Sequence, residues 1–190
     1  MDGKLKLDLH THCREATAGA APTIAIAKRI VAVVKARGLD GIAMTDHYTD
    51  SYGREVKEIV EQHLGGGIVV IPGKEIDRML SGRELGVIHV VELYLPDDVT
   101  FRFIAHPGYP YVRDLDSHVD GGIHGIELGN AVHRNGMDGQ EIRRIAENHD
   151  LLLLTNSDAH DLRDIGTYYN EIGIEELIAR AGVTDNTGGI

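Results

Sequence analysis

The chain has 190 residues, 42% hydrophobic and 26% charged, which is enough to bury a core and fits one globular domain rather than a disordered chain. Its net charge of -11, from 30 acidic against 19 basic residues, excludes the broad basic surface that duplex nucleic acid requires. No apolar run reaches the roughly 20 residues of a membrane span, and the charged start MDGKLKLDLH lacks the apolar stretch of a secretion signal. A cytoplasmic location with no membrane partner is therefore expected. The single cysteine, Cys13, agrees with a reducing compartment and could serve as a metal ligand.

Short β-rich runs alternate with helical stretches along the chain. KLKLDLHTH reads as a first strand, APTIAIAKRIVAVVKARG as a helix, GLDGIAMTDH as a second strand, SYGREVKEIVEQHLG as a helix and GIVVIPGKEI as a third strand. GVIHVVELYLP, the fourth, follows a polar loop directly, and no helix separates it from the fifth, FRFIAHPG, so a short turn is expected between them. GIHGIELGN gives a sixth strand, MDGQEIRRIAENHD a helix, LLLLTNSDAH a seventh strand and IEELIARAG a closing helix ended by Gly182. The domain expected is 1–182; the Gly-rich tail VTDNTGGI, 183–190, is expected to fray. Seven mostly parallel strands with helices between them make an α/β protein, either an open doubly wound sheet or a closed barrel.

The eleven histidines carry the functional argument, because neutral imidazole is the commonest metal ligand. The first strand ends in Asp8-Leu9-His10-Thr11-His12, and residues two apart on a strand share a face, so His10 and His12 converge. The second ends in Thr45-Asp46-His47, the third in Gly73-Lys74-Glu75, the fifth in His106-Pro107 and the seventh in Asp158-Ala159-His160, while the fourth carries His89. A parallel barrel brings all its strand ends to one mouth, whereas an open sheet separates its edges, so this pattern favours the barrel. Six histidines with Glu75 and Asp158 suit Zn, Mn or Fe better than the all-oxygen shells of Ca or Mg. The set exceeds one tetrahedral site, so two or three divalent ions are expected a few ångströms apart. That geometry clamps both oxygens of a phosphoryl displacement, gives the site a net positive charge for an anionic substrate and supplies metal-bound hydroxide as nucleophile, with no protein nucleophile required.

Taken singly, a strand histidine is more often a hydrogen-bonded core residue than a ligand. It is the recurrence at successive strand ends that resists this explanation, since buried imidazoles and carboxylates are costly unless paired or coordinated. His63 and His149, near helix ends, read as surface groups facing a helix dipole, and His118 as loop surface. His124 and His133 flank the sixth strand, which holds Glu127 near Asn130; these could orient ligands or touch substrate. Arg14 and Arg54, on loops after the first and second strands, are placed to hold a phosphate. Lys74 precedes Glu75 on a strand and should point away from the site.

At these residues the chain resembles the PHP superfamily, named for polymerase and histidinol phosphatase. The resemblance runs from Leu5 to His160. It implies a distorted seven-stranded β/α barrel, TIM-like, with a centre of two or three metals. His10 and His12 correspond to the family's opening HxH, His47 to its TDH histidine, Glu75 to its third-strand glutamate, His89 to the next strand's histidine, His106 to AHP, and Asp158 with His160 to the closing DxH. One departure stands out: relatives usually carry an acidic ligand a few residues after HxH, where this chain has Thr17. Either Glu15 replaces it through a different loop path, or one metal is weakly held or absent. The chain is also short for the family, which implies an open mouth without a substrate cap.

The function expected is a phosphoesterase acting on a small phosphorylated molecule, such as histidinol phosphate or a nucleotide, or on a single-strand end. The acidic balance and the lack of aromatic runs weigh against extended single-strand binding. Two other readings compete. An amidohydrolase-like hydrolase would need a bridging lysine, and none lies at a strand end; a non-catalytic metal-binding accessory or regulatory domain would account for Thr17.

Overall fold

Strand β1 (Leu5–Asp8) runs through the His10–His12 segment into one helical turn, α1 (Cys13–Ala16). Helix α2 (Ile24–Ala36) begins where the Thr23 side chain accepts a hydrogen bond from the Ile26 N–H, and it buries Ala27, Ile30 and Val34 along one face. Then come β2 (Gly41–Met44), α3 (Ser51–His63), β3 (Val69–Met79), β4 (Val87–Tyr94), β5 (Thr100–Ile104) and β6 (Gly125–Asn130). Helix α4 (Gly139–His149) is capped by Asp138, buries Ile142, Ile145 and Ala146, and stops at Asp150, which adopts a left-handed conformation. The chain continues as β7 (Leu152–Asn156), β8 (Asn170–Ile172) and α5 (Ile174–Gly182). This computed structural model describes residues 3–80, 86–133, 136 and 138–182. The fraying expected of 183–190 lies outside the described residues.

The eight strands form one sheet in the order β7-β6-β5-β4-β3-β2-β1-β8. All seven expected strands form, and the count is corrected by β8, a three-residue strand that pairs antiparallel with β1 through Leu7 and Asn170. Pairing is parallel from β1 to β3 and from β5 to β7, but β4 is antiparallel to both neighbours. A parallel neighbour needs a crossover of a dozen or more residues, and the connections from Met79 to Val87 and from Tyr94 to Thr100 are too short to supply one. The short turn expected before β5 is a 3-10 turn at Pro96–Asp98. Because β4 runs backwards, the end that reaches the mouth is its beginning, and His89 sits there opposite Asp77. Close approach of β4 to β3 needs Gly73, where a Cβ would lie 2.4 Å from the Glu92 carbonyl oxygen.

Side chains rather than a ladder nearly close the barrel between β7 and β1. The Leu9 N–H donates to Asn156 Oδ1 at 3.0 Å and the Ser157 N–H to Asp8 Oδ1 at 3.1 Å. Beyond them the Asp158 N–H reaches the His10 carbonyl, and Thr11 forms an isolated bridge with Ala159. Leu7, Leu9, Ala43, Ile71, Val91, Leu93, Phe101, Phe103 and Leu154 fill the interior, with Leu177 and Ala181 of α5 packed into the same cluster. Separate apolar clusters seat α2 and α3, and α4, against the outside of the sheet. No helix among the described residues is long and apolar enough to cross a membrane.

Candidate metal centre

One buried carboxylate organises the mouth of the barrel. Glu75 Oε1 lies 2.9 Å from His106 Nε2 and 3.1 Å from His89 Nδ1. Its Oε2 lies 3.3 Å from His47 Nδ1, 3.4 Å from His12 Nε2 and 3.5 Å from His10 Nε2. Asp158 Oδ1 faces His12 Nε2 at 3.0 Å, His10 Nε2 at 3.5 Å and His160 Nδ1 at 3.7 Å. Outermost, Glu15 approaches His47 at 3.7 Å and His160 at 3.6 Å. The donors form overlapping groups, each within 4.8 Å: His10 and His12 with Glu75; His10 and His106 with Asp158; His89 and His106 with Glu75; and His12, His47 and His160 with Glu15.

Hydrogen bonds behind the rings fix how they present themselves. His10 Nδ1 faces Glu127 Oε1 at 3.0 Å, His106 Nδ1 faces the Tyr109 carbonyl at 2.9 Å and His160 Nδ1 faces the Asp158 carbonyl at 2.8 Å. These partners can only accept, so Nδ1 donates in each case and the Nε2 lone pair is turned into the cluster. Glu127 on β6 is the buried orienter that the sequence suggested: it also accepts from the His106 N–H and from Asn130 and Asn156. Asp158 and His106 have positive φ angles of 54° and 27°, local strain that their backbone bonds to His10 and Glu127 maintain.

Burial opposes charge on Glu75 and Asp158, but the surrounding imidazoles, His10 foremost, hold both carboxyls well below the usual carboxylate range. Burial equally opposes a charged His10, yet Asp158, Glu127 and Glu75 outweigh it and raise its pKa. Among the described residues three buried side-chain atoms, His12 Nδ1, Asp46 Oδ2 and Asp158 Oδ1, have no partner in hydrogen-bond geometry. Fixed Nε2 lone pairs around shared carboxylates, with an unsatisfied carboxylate oxygen among them, fit a borderline divalent ion.

All eight strand-end residues singled out in the sequence meet here, and Glu15 joins them. Thr17 does not: its hydroxyl is buried against Tyr52 and the Cys13 carbonyl. Cys13 is corrected as a metal-ligand candidate, since it is buried in the α2–α3 layer and belongs to none of the donor groups. Burial pushes its thiol up to about 12. Titration with a thiol reagent at pH 8 should find no reactive thiol in the native protein and one per chain after denaturation; fast native labelling would contradict this placement.

Arg14 is exposed beside Glu15, with its backbone N–H on Asp46. Arg54 is not brought to the cluster. It pairs with Asp50 and lies 5.1 Å over the Tyr94 ring, facing an outer groove of about 510 Å³ lined by Lys57, Pro72 and Thr100. His133 reaches the rim, 3.7 Å from Asp158. His124 lies at the other end of β6, accepting the Arg102 N–H. His149 pairs with the Asp116 carboxylate at 2.7 Å, a specific partner beyond the helix dipole. Lys74 points outward to Glu92, as the strand alternation requires.

Sequence reasoning missed Asp77, which lies 3.4 Å from His89 Nε2 and accepts the Tyr48 hydroxyl at 2.8 Å. The spacing that joined His10 to His12 also places Asp77 on the face of Glu75, so the signal was present.

Residues 136–181 match the PHP-associated family. A protein of Methanocaldococcus jannaschii is 26% identical over 157 residues, covering 70% of this chain and 86% of that one. The fold matches a candidate metal-dependent phosphoesterase from Bifidobacterium adolescentis with a TM-score of 0.67, 14% identity and coverage of 94% of this chain and 96% of that chain. It also matches PsfC from Pseudomonas syringae, with a TM-score of 0.60, 19% identity and coverage of 93% and 88%. An amidohydrolase from Chromobacterium violaceum, solved with bound sulfate and no metal, matches with a TM-score of 0.60, 17% identity and coverage of 92% and 96%. The PHP-associated match covers residues 136–181, and the three solved structures share the fold of nearly the whole chain.

Proposed function

We propose that the chain is a metal-dependent phosphoesterase that hydrolyses a phosphate ester of a small molecule or nucleotide. The observation that carries this reading is Glu75, one buried carboxylate shared by five imidazoles, with Asp158 and Glu15 completing the flanking donor groups. His10, His12, Glu75 and Asp158 would hold one ion, Glu75 with His89 and His106 a second, and Glu15 with His47 and His160 a third. Such ions supply Lewis acidity and lower the pKa of bound water toward neutrality. The protein keeps the rings of His10, His106 and His160 in one tautomer and shares Glu75 between neighbouring positions, so the donor groups stay close enough to face one phosphate. His133 stands at the rim, 3.7 Å from Asp158, where a phosphate would enter, and the exposed Arg14 next to Glu15 would be free to approach it.

The likeness to an amidohydrolase favours a second hydrolytic reading on the same fold. The outward Lys74 weighs against it: this lysine, next to Glu75 in the chain, pairs with Glu92 instead of bridging the donor groups. Glu15, which shares a donor group with His12, His47 and His160, weighs against the accessory-domain reading that Thr17 suggested.

Metal content of protein purified without chelator, combined with Mn- or Zn-supplemented hydrolysis of an aryl phosphate monoester and diester, tests the proposal. Two or three ions per chain are expected, with turnover that His12→Ala abolishes and Glu15→Gln losing only the outer ion. A wild type that binds no metal and hydrolyses neither ester would refute it.

A further inference from the structure

The outermost donor group hangs on a helix too short to hold itself. Glu15 sits on α1, whose four residues make a single turn, and one turn fixes more dihedral angles than its hydrogen bond repays. The Glu15 carboxylate lies 3.7 Å from His47 and 3.6 Å from His160, beyond hydrogen-bond length, so neither ring fixes it. Its place is therefore set by whatever fixes the backbone of α1.

That backbone is tied at both ends. At the start of the turn the Arg14 N–H donates to Asp46 Oδ1 at 2.8 Å, and Asp46 is buried. At its end the Thr17 hydroxyl donates to the carbonyls of Cys13, at 2.9 Å, and Arg14, at 3.1 Å. A hydroxyl carries one proton and carbonyls only accept, so the 2.8 Å bond between Thr17 Oγ1 and the Tyr52 hydroxyl is donated by Tyr52. Tyr52 belongs to α3 and is packed in the apolar cluster that holds Met44, Val56 and Val60, so its hydroxyl donates from a fixed place. Beyond Thr17 the chain turns away through Ala18 and Gly19, at φ angles of 55° and 72°. His12, just before α1, is held independently: its N–H donates to the Ala159 carbonyl at 2.9 Å, and its Nε2 faces Asp158 at 3.0 Å.

We propose that Tyr52 is a positioning residue for the outermost ion: acting through Thr17, and with Asp46 at the other end of the turn, it holds α1 so that Glu15 stays beside His47 and His160. The inference rests on the metal-centre reading and concerns one of its sites. Tyr52 touches no donor of the cluster itself; its hydroxyl acts on the turn, and the turn carries the carboxylate.

Titration of chelator-stripped protein with Mn2+ alone, following the electron paramagnetic resonance of the free ion, counts the sites and ranks their affinities. The weakest site of the wild type should be the one that Glu15→Gln weakens. Tyr52→Phe and Thr17→Val should each weaken that same site about 10-fold, the low end for removing a group behind a metal ligand, and leave the tighter sites unchanged. Thr17→Ser keeps the hydroxyl and should bind as the wild type does. Added to Glu15→Gln, Tyr52→Phe should have no further effect on Mn2+ binding, because its action passes through Glu15. No weakening, weakening of every site alike, or a full further loss in the double variant overturns the proposal. If Glu15→Gln leaves the weakest site untouched, the proposal falls while the inner centre stands; a wild type that binds no Mn2+ refutes the metal-centre reading itself.

Discussion

Glu75→Gln is expected to lower hydrolysis on the order of 10³-fold, the upper range for removing one charge-stabilising group, and to cost the protein bound metal. The carboxylate touches His10, His12, His47, His89 and His106 with its two oxygens. An amide would turn its NH2 toward part of this ring of nitrogens, where it cannot accept or coordinate, and would remove the negative charge that holds the rings together. Asp77→Asn makes the useful comparison, since Asp77 contacts only His89 among the proposed ligands; a loss of about 10-fold is expected there. Elemental analysis beside the kinetic assay checks both variants. Wild-type metal content and turnover in Glu75→Gln would remove Glu75 from the centre of the proposed mechanism.

Asn156→Ala should have the largest effect on stability, about 2–4 kcal/mol in urea unfolding. Asn156 is wholly buried. Its Oδ1 accepts from the Leu9 N–H at 3.0 Å and from Asn170 Nδ2 at 2.8 Å, and its Nδ2 donates to Glu127 at 2.8 Å. Alanine would leave the Leu9 N–H without a partner where no other strand can supply one. It would also loosen Glu127 behind His10, so a fall in metal affinity of 10- to 100-fold should accompany the change. Performing the unfolding with chelator present separates the two effects. Asn148→Ala, an exposed change beside Asp116, should stay within about 0.5 kcal/mol of wild type; equal effects of the two substitutions would deny Asn156 its closing role.

The donor set was legible because it relies on two local rules, strand alternation and the gathering of strand ends at a barrel mouth. These rules found His10, His12, His47, Glu75, His106, Asp158 and His160 from the ends of strands, and His89 from within one. The direction of β4 was written in the chain as well, in the polar loop before it and the short turn after it, although these were not carried through to an antiparallel strand. Strand β8 left no trace, since three residues, Asn170–Ile172, are too few for periodicity to register and owe their conformation to β1. The fate of Arg54 depended on a tertiary partner, Tyr94, that no local pattern connects to it. Glu15 and Thr17 were separable only by their neighbours, the hydroxyl turning to Tyr52 and the carboxylate to His47.

The way the barrel closes bears on the order in which the protein assembles. The bonds that join Leu9 to Asn156 and Asp8 to Ser157 span 147 and 149 residues, so the two ends of the sheet meet only after nearly everything between them has been placed. His10 and His12 stand on one side of that seam, Asp158 and His160 on the other. An ion held by His12 and Asp158 would act as a staple across it, adding RT ln(1 + [L]/Kd) to the folded state. Metal supply would then govern how long the finished barrel persists as well as what it does.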